Sequence, residues 1–315
     1  MGGVTMNLGG ARSAKTITDA AGNYRFAAMD TDNFYTVTPA LVNYHFSPEN
    51  RSFSLLANKT DAVFTATRNT VISGNVIDSA DYFVRQHYVD FLGREPDANG
   101  FNFWSDQILG CGSDASCLEV KRINVSAAYF LSIEFSNTGG LVDGLYRASY
   151  GRRPTFAEFM PDTAAVAQGV IVGATPNWPD VLLANKEAFV AAWVQRPAFQ
   201  STYGGLTNSA YVDALISRTG GFNGDRESLI GGLNSSALTR AQALRQIVEN
   251  DGFVSAKRND TFVMMQYFGY LRRDPDAAGH AFWLNKLNQF HGNFVQAEMV
   301  KAFLSSGEYR QRFSQ

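Results

Sequence analysis

The sequence predicts a multidomain β plus α protein: a small antiparallel β-sandwich followed by an all-α domain of degenerate helical repeats. Residues 3–67 alternate apolar and polar side chains between closely spaced turn signals, the pattern of short antiparallel strands. After Ser79 the apolar residues recur at helical spacing instead. The stretch "FLGREPDANGFNFW" at 91–104 returns as "YLRRDPDAAGHAFW" at 270–283, which indicates a repeated structural unit.

The composition is that of an ordinary globular protein. Of the 315 residues, 45% are hydrophobic and 18% are charged, and the formal net charge is −2. Basic pairs such as Arg152-Arg153 have acidic residues near them. We expect no nucleic-acid partner, because binding to a phosphate backbone requires concentrated positive charge. No apolar run approaches the roughly 20 residues of a membrane-spanning helix, so no transmembrane segment is expected.

The strands are expected in the order "VTMNL", "TITDAAGNYRFAAM", "FYTVTPAL", "YHFSPENRSFSLL" and "AVFTAT". Gly-Asn and Pro-Glu-Asn supply turns between them. Aromatic and β-branched residues at alternating positions are more typical of a core than of a binding surface. The expected core residues are Tyr24, Phe26, Tyr35, Val37, Tyr44, Phe46, Phe53 and Phe64.

The stretches "TDAAGNYRF", "YTVTP" and "YHFSPENRSFSL" resemble carboxypeptidase-regulatory-like and collagen-adhesin B-type sandwiches, which have immunoglobulin- or prealbumin-like folds. The resemblance implies a spacer, stalk or adhesion module outside a bacterial cell. Such modules open with a strand that this chain lacks at its start. Because an incomplete sheet exposes unpaired backbone groups, we expect a strand through Ile72 and Val76, in "VISGNVID", to fill the vacant edge, in its own chain or a neighbour's. The alternatives are a simple linker and the start of a second, abandoned sandwich.

The only two cysteines, Cys111 and Cys117, lie in "CGSDASC". A structural zinc site requires four ligands, and no histidine is near, so a disulfide is the preferred prediction and free thiols are the alternative. A disulfide indicates an oxidising compartment. The start, "MGGVTMNLGG", lacks the segments of a signal peptide. We therefore expect an extracellular or cell-surface protein whose leader is missing from this chain, with a cytosolic protein as the alternative.

Each helical unit is expected to contain a helix, a Pro-Asp turn and further helices. The apolar face of the first helix is Val84, Tyr88, Phe91 and Leu92. Phe101, Trp104 and Ile108 mark the second helix, and Val120, Ile123, Ala127, Phe130 and Leu131 mark the third. Asp97 is placed to cap the second helix.

The repeats divide the chain into 1–70 (sandwich), 71–80 (linker or complementing strand), and helical units 81–140, 141–205, 206–258 and 259–315, of which the middle two are degenerate. Such units stack because none of them buries its apolar face alone. The motif shared by the outer units comprises Arg94, Pro96, Asp97, Gly100 and Trp104 in the first, and Arg273, Pro275, Asp276, Gly279 and Trp283 in the last.

The motifs "LGREPDxxGxxxW" and "FLSSxEY" resemble those of the domain of unknown function 4214, a family similar to phycobilisome linker domains. The resemblance covers most of residues 81–313. It implies a module of large secreted bacterial proteins that serves in scaffolding or recognition, with no enzymatic activity defining the family.

The motif's charged residues allow two interpretations. Arg94 with Asp97, and Arg273 with Asp276, could form a ligand or cation site, but an N-cap with a tethering arginine explains them more simply. The histidines His45, His87, His280 and His291 lack metal-ligand spacing, and "DANG" has too few oxygen ligands for calcium. No metal and no cofactor are expected, and a packing position is predicted for His280.

No nucleophile elbow, phosphate loop or dinucleotide fingerprint is present in the sequence. Asp90, Glu119 and Glu134 could supply a carboxylate pair for glycoside hydrolysis. Trp178 and Trp193 lie outside the repeat pattern and are the candidates for stacking on sugar rings, although core packing is the commoner fate of tryptophan.

The leading functional prediction is a secreted or cell-surface, non-catalytic binding and assembly module of a bacterium, which oligomerises by strand addition or helix packing. Its expected partners are copies of itself, another surface protein or an extracellular polysaccharide. The alternatives are an extracellular polymer-acting hydrolase with carboxylates in an inter-helix groove, and a carbohydrate-binding or spacer module.

Overall fold

The computed structural model describes residues 1–173 and 176–314. An N-terminal antiparallel β region precedes a long series of helices, as the alternation and helical periodicity predict. The chain divides into two compact units. The first unit contains residues 1–90, 94–127 and 301–315, and the second contains residues 91–93 and 128–300. These two units are defined by contacts in space. The segments proposed above are defined by sequence repetition, so the two divisions differ, and the repeat segments stay a prediction from the sequence.

The strands are β1 (Thr5–Gly10), β2 (Ala14–Ile17), β3 (Asn33–Ala40), β4 (Tyr44–Ser47), β5 (Arg51–Leu55) and β6 (Thr65–Arg68). They form a four-stranded sheet in the order β2-β1-β3-β5 and a two-stranded sheet of β4 and β6. Every pairing is antiparallel, and Leu8 faces Val37 between the central strands.

The β-region core forms where alternate residues of β1 and β3 turn inward. Tyr35 and Val37 are buried as predicted, and Val4, Met6 and Leu8 join them although no aromatic residue marks their strand. Six further predicted core residues are only partly buried: Tyr24, Phe26, Tyr44, Phe46, Phe53 and Phe64.

One strand prediction is wrong, and a second is not met within the described part of this chain. Residues 24–28 form no strand, and Tyr24 instead donates its hydroxyl to the carbonyl of Ala62. The segment through Ile72 pairs with no strand among the described residues, and Val76–Asp78 is a 3-10 helix capped by the Asn75 side chain. Pairing with a neighbouring chain stays a prediction. A local side-chain cap competes here with strand pairing.

Side chains, not a β ladder, attach residues 71–78 to the β region. Asn43 donates its side-chain amide to the carbonyl of Gly74 at 2.8 Å, and its Oδ1 accepts from the backbone of Ser73 at 2.9 Å. The edge strand β2 forms ion pairs with helical residues: its Lys15 pairs with Asp81 at 3.1 Å and with Asp106 at 3.2 Å. Helical side chains therefore interact with this edge of the sheet.

The first unit contains helices and the first copy of the motif. These helices are α1 (Ala80–His87), α2 (Ala98–Leu109), most of α3 (Ala115–Phe130), most of α14 (Met299–Ser305) and α15 (Gly307–Gln311). The C-terminal segment binds the start of the helical region. Arg310 pairs with Asp78 and Arg312 pairs with Asp90, each at 2.8 Å.

The second unit consists of helices. Its α-helices are α4 (Ile133–Asn137), α5 (Gly139–Tyr150), α6 (Phe156–Ala167), α7 (Trp178–Trp193), α8 (Pro197–Tyr203), α9 (Asn208–Ile216), α10 (Arg226–Asn234), α11 (Arg240–Val248), α12 (Asp251–Gln266) and α13 (Ala277–Gln289). π-Helical turns follow α1 at Tyr88–Leu92 and α12 at Tyr267–Leu271. Helix α5 packs against α6, α11 and α12, and α12 packs against α13.

The helical periodicity is correct for α1 and partly wrong for α3. Val84 and Tyr88 are buried as predicted, whereas Val120 and Leu131 are exposed. Val125 is buried instead, because the orientation of a helix is set by its neighbours. Within residues 1–173 and 176–314, no helix combines the length and the apolar character that crossing a bilayer would require.

Candidate functional site

The repeated motif forms the same turn in the first and last copies. Asp97 caps α2 by accepting from the backbone of Gly100 at 2.8 Å, and Asp276 caps α13 by accepting from Gly279 at 2.7 Å. The arginine of each copy lies over a tyrosine, with 4.9 Å from Arg94 to the Tyr88 ring and 5.2 Å from Arg273 to the Tyr267 ring.

The degenerate second copy retains this turn. Arg152 lies 5.2 Å from the Tyr146 ring, and Thr155 replaces the aspartate as the cap of α6. The residue before the arginine is left-handed in all three copies, with φ of 67° at Gly93, 67° at Gly151 and 57° at Arg272. The three copies therefore have the same turn geometry although their residue types differ.

Glycine and proline of the motif serve its close packing. A side chain at Gly100 or Gly279 would collide with the hydroxyl of Tyr88 or Tyr267, respectively. Pro96 and Pro275 precede the capping aspartates, where proline disfavours continuation of a helix. Trp104 and Trp283 are half-buried, and each forms an edge-to-face pair with an exposed neighbouring phenylalanine.

Trp193 is not a stacking platform for sugar, because it is fully buried. Its indole donates to the hydroxyl of Ser149 at 3.0 Å, and it packs between Tyr146 and Arg196. Trp178 begins α7 and is half-buried, so its stacking role stays a prediction. Cys111 and Cys117 form a disulfide between α2 and α3.

The carboxylates suggested for hydrolysis have other surroundings. Asp90 pairs with Arg312, and Glu119 pairs with Lys301 at 2.7 Å. Both lie in the first unit, whereas Glu134 is buried in the second.

The histidines differ in environment. His87 is buried, with Nδ1 at 2.8 Å from the carbonyl of Phe83 and Nε2 at 2.7 Å from the hydroxyl of Ser126. Burial lowers the pKa of His87 to about 3. His45 contacts Asn69, and His291 is exposed. No group of three or more metal-binding side chains occurs in the described ranges of the chain.

The main candidate site is a cleft in the second unit of about 1000 Å³, which we call the arginine cleft. Helices α5, α12 and α13 and the turns at residues 151–155, 218–220 and 274–275 form it. Its charged or ionisable lining residues are Arg147, Arg152, Arg153, Arg218, Lys257, Asp260, Asp274 and His280.

Asp260 is the centre of one ion-pair network in this cleft. Its Oδ1 accepts from Arg153 at 2.8 Å and lies 2.7 Å from His280 Nε2, while its Oδ2 accepts from Arg147. Burial alone would raise the pKa of Asp260, but the hydrogen bond from His280 and the arginine charges hold that pKa well below its ordinary range. Asp260 is therefore a fixed anion, unsuited to donating a proton at neutral pH.

A second network lies beneath the first. Asp143 is completely buried and accepts from Arg147 at 2.8 Å, from Lys257 at 3.2 Å and from Thr261 at 2.6 Å. Its burial would raise the pKa of the carboxyl, but the charges of Lys257 and Arg147 lower it. Arg147 thus joins both networks, and its buried Nη2 has no hydrogen-bond partner within the described ranges.

Two residues at the cleft have no oppositely charged partner in the part of the chain that the structure describes. Arg218 is exposed and donates to the carbonyl of Ser149 and the hydroxyl of Tyr203. Asp274 is exposed and accepts from the backbone of Phe156 at 2.6 Å. Arg152, in contrast, forms a bidentate pair with Glu158.

A smaller cavity of about 570 Å³ shares Lys257 with the arginine cleft and is also lined by Lys186, Glu249 and Arg258. Lys186 pairs with Glu249 at 2.7 Å. The rest of this cavity's wall mixes apolar residues, such as Phe130 and Phe135, with polar residues, such as Asp251.

Sequence reasoning missed the arginine cleft because its residues come from three different repeat segments of the sequence, 141–205, 206–258 and 259–315. The buried His280 occupies a packing position, but it contacts Asp260 and not an apolar core. One signal in the sequence could have indicated the cleft. An arginine follows the left-handed residue in each copy of the motif, and Arg152 and Arg153 of the cleft belong to such a turn.

A family model described as "Domain of unknown function (DUF4214)" matches residues 244–313. The matched segment contains the last motif, together with Lys257, Asp260 and His280 of the cleft. The C-terminal part of the chain is therefore similar to this family, as its motifs predict. The match does not reach the β region, so the resemblance proposed for residues 1–70 stays a prediction. No curated protein and no solved structure matches the chain.

Proposed function

We propose that the chain is a non-catalytic module, secreted or displayed on a bacterial surface, that binds an extracellular polysaccharide in the arginine cleft. The observation that carries this proposal is the cleft itself: about 1000 Å³ of space whose charged lining residues are mostly held in ion pairs. Its volume is at the upper end of ordinary ligand sites, for which ~300–1,000 Å³ is typical.

The chemistry of the lining favours binding over catalysis. Of the two lining carboxylates, Asp260 is held as an anion by three partners, and Asp274 is exposed and accepts from the backbone of Phe156. General acid catalysis requires a carboxyl group that can hold a proton near the working pH. These side chains are instead preorganised by their mutual contacts, which reduces the entropy lost on binding.

Two observations support a location outside the cell. Cys111 and Cys117 form a disulfide, and disulfides persist mainly in oxidising compartments. Residues 244–313 match a domain of unknown function, and the resemblance to that family implies scaffolding or recognition by secreted proteins. Assembly of copies, through strand edges or helix faces, is part of the same proposal.

The test fills the cleft with a bulky side chain. Ala281 is an exposed residue of α13 that lines the cleft, and Ala278 is an exposed residue of the same helix outside the lining. The chain is run through gels that contain dextran, galactan, polygalacturonate or alginate. We expect retardation by at least one polymer, loss of retardation in Ala281→Trp, and no change in the control Ala278→Trp.

The same polymers are incubated with the chain and assayed for new reducing ends, and light scattering measures its mass. We expect no reducing ends and a mass that increases with concentration. Retardation by none of the polymers, or full retardation of Ala281→Trp, would exclude the cleft as their site. Reducing ends that disappear in Ala281→Trp would favour the hydrolase alternative.

A further inference from the structure

We infer that the arginine cleft selects a polysaccharide bearing carboxylate groups, a polyuronate, and that Arg218 is the residue that contacts those groups. The inference rests on the proposed function and names its ligand class. It starts from the charges of the lining: five cationic residues, Arg147, Arg152, Arg153, Arg218 and Lys257, accompany two carboxylates, Asp260 and Asp274.

Most of these charges are already used within the chain. Asp260 is shared by Arg147 and Arg153, Lys257 is held by the buried Asp143, and Arg152 is held by Glu158. Arg218 differs from them, because no carboxylate of the described residues pairs with it. Among the described residues, it is thus the cation of the lining that has no carboxylate partner.

Arg218 is also held in place for that contact. Its guanidinium lies 5.7 Å from the Tyr203 ring, and one nitrogen, Nη1, donates to the carbonyl of Ser149 and the hydroxyl of Tyr203. These contacts involve Nη1, so within the described ranges the Nε and Nη2 donors are left for other partners. A planar guanidinium presents such donors in the geometry that a carboxylate accepts.

The remaining features favour a ligand with separated negative charges over a nucleic acid. The whole chain has a formal net charge of −2, and Asp274 adds negative charge to the lining. Nucleic-acid affinity depends on neutralising many closely spaced phosphates. A polyuronate carries a carboxylate on each sugar and offers hydroxyl groups to the polar lining, so one available arginine suffices to prefer it.

The test compares one sugar backbone in charged and neutral forms. Oligogalacturonate and its methyl ester are titrated into the chain by calorimetry, with oligomers of alginate and hyaluronate as further uronate probes. We expect at least one uronate to bind, and the acid to bind about tenfold more tightly than its methyl ester. Added salt should weaken binding of the acid alone.

Three variants locate the contact. Arg218→Gln should weaken uronate binding about tenfold and leave binding of the methyl ester unchanged. Arg226→Gln makes the same change of net charge at an exposed arginine that pairs with Asp213 outside the cleft, and should leave uronate binding unchanged. Asp274→Asn removes the unpaired lining carboxylate, keeps an acceptor for Phe156, and should tighten uronate binding about twofold.

Each outcome bears on one proposal. Equal binding of acid and ester, blocked by Ala281→Trp and unaffected by Arg218→Gln, would overturn the carboxylate inference while the binding cleft stands. Binding of none of these oligomers overturns the inference, and the polymer gels then decide separately whether the cleft binds any polysaccharide. Asp274→Asn provides the test of charge selection if Arg218→Gln does not fold.

Discussion

The first and last copies of the motif have the same turn followed by a helix, but two equivalent positions in the copies carry different side chains. In the first copy, Asp81 of α1 pairs with Lys15 of the β region, and Lys15 lies 5.6 Å from the ring of buried Phe101. In the last copy, the corresponding residues are Asp260 and His280, which contact each other at 2.7 Å.

The difference shows how one repeat serves two purposes. In the first copy, an apolar ring and one carboxylate attach the β region to the helices. In the last copy, an imidazole and two arginines contact the carboxylate of Asp260, and the space beside them is open and forms the arginine cleft. The turn gives both copies the same backbone conformation. The side chains that pack on the turn determine whether the space beside it is filled or open.

The largest effect is expected from exchanging the paired residues. Phe101→His places an imidazole in an apolar site that is 1% exposed, and should destabilise the chain by about 4 kcal/mol. The reciprocal His280→Phe should cost about 1 kcal/mol, because Asp260 keeps Arg147 and Arg153. Urea unfolding followed by circular dichroism measures both. Equal losses would mean that the two positions are equivalent after all.

A second difference predicts acid sensitivity in the first copy only. His87 corresponds to Gln266, which donates its side-chain amide to the carbonyl of Phe262 at 3.1 Å. Burial lowers the pKa of His87 from 6.5 to about 3. As the pH falls through this interval, His87 therefore binds a proton in the unfolded chain but not in the folded chain.

Stability should therefore decrease by roughly 2 kcal/mol between about pH 6.5 and 4.5 through this residue. His87→Gln copies the last motif and should remove that part of the pH dependence, as measured by urea unfolding at several pH values. His45→Gln, at an exposed histidine in contact with Asn69, is the control. An unaltered pH dependence in His87→Gln would refute this origin.

The smallest effect distinguishes the two carboxylates. Asp260→Asn should destabilise by about 2 kcal/mol, because two arginines and an imidazole lose their anion, and Asp81→Asn by about 1 kcal/mol, because Lys15 retains Asp106. The depressed pKa of Asp260 means that its contribution is present above its ordinary pKa and is lost as pH falls below about 4.

Thermal unfolding at neutral and acid pH tests this ordering. The gap between Asp260→Asn and the unaltered chain should narrow at low pH. A gap that is independent of pH, or a larger cost at Asp81, would show that the cation network around Asp260 does not hold its charge.

Much of the local structure could be predicted from the sequence. The positions of β1 and β3, the apolar face of α1 and the capping by Asp97 follow from alternation, helical periodicity and a short-range hydrogen bond. The failures involve competition between local and distant partners. Asn75 favours a cap over a strand at residues 72–77, and α3 presents Val125 to the interior in place of Val120.

The sequence by itself determined the order of β and helical regions, the recurrence of one turn and the side chains that build it, because these depend on residues close together in the chain. Only the tertiary structure decided that Trp193 is buried, that Arg310 returns to Asp78, and that Arg147 and Arg153 converge on Asp260. Such partners are distant in sequence, and which charges meet depends on how helices pack, which the local pattern does not specify.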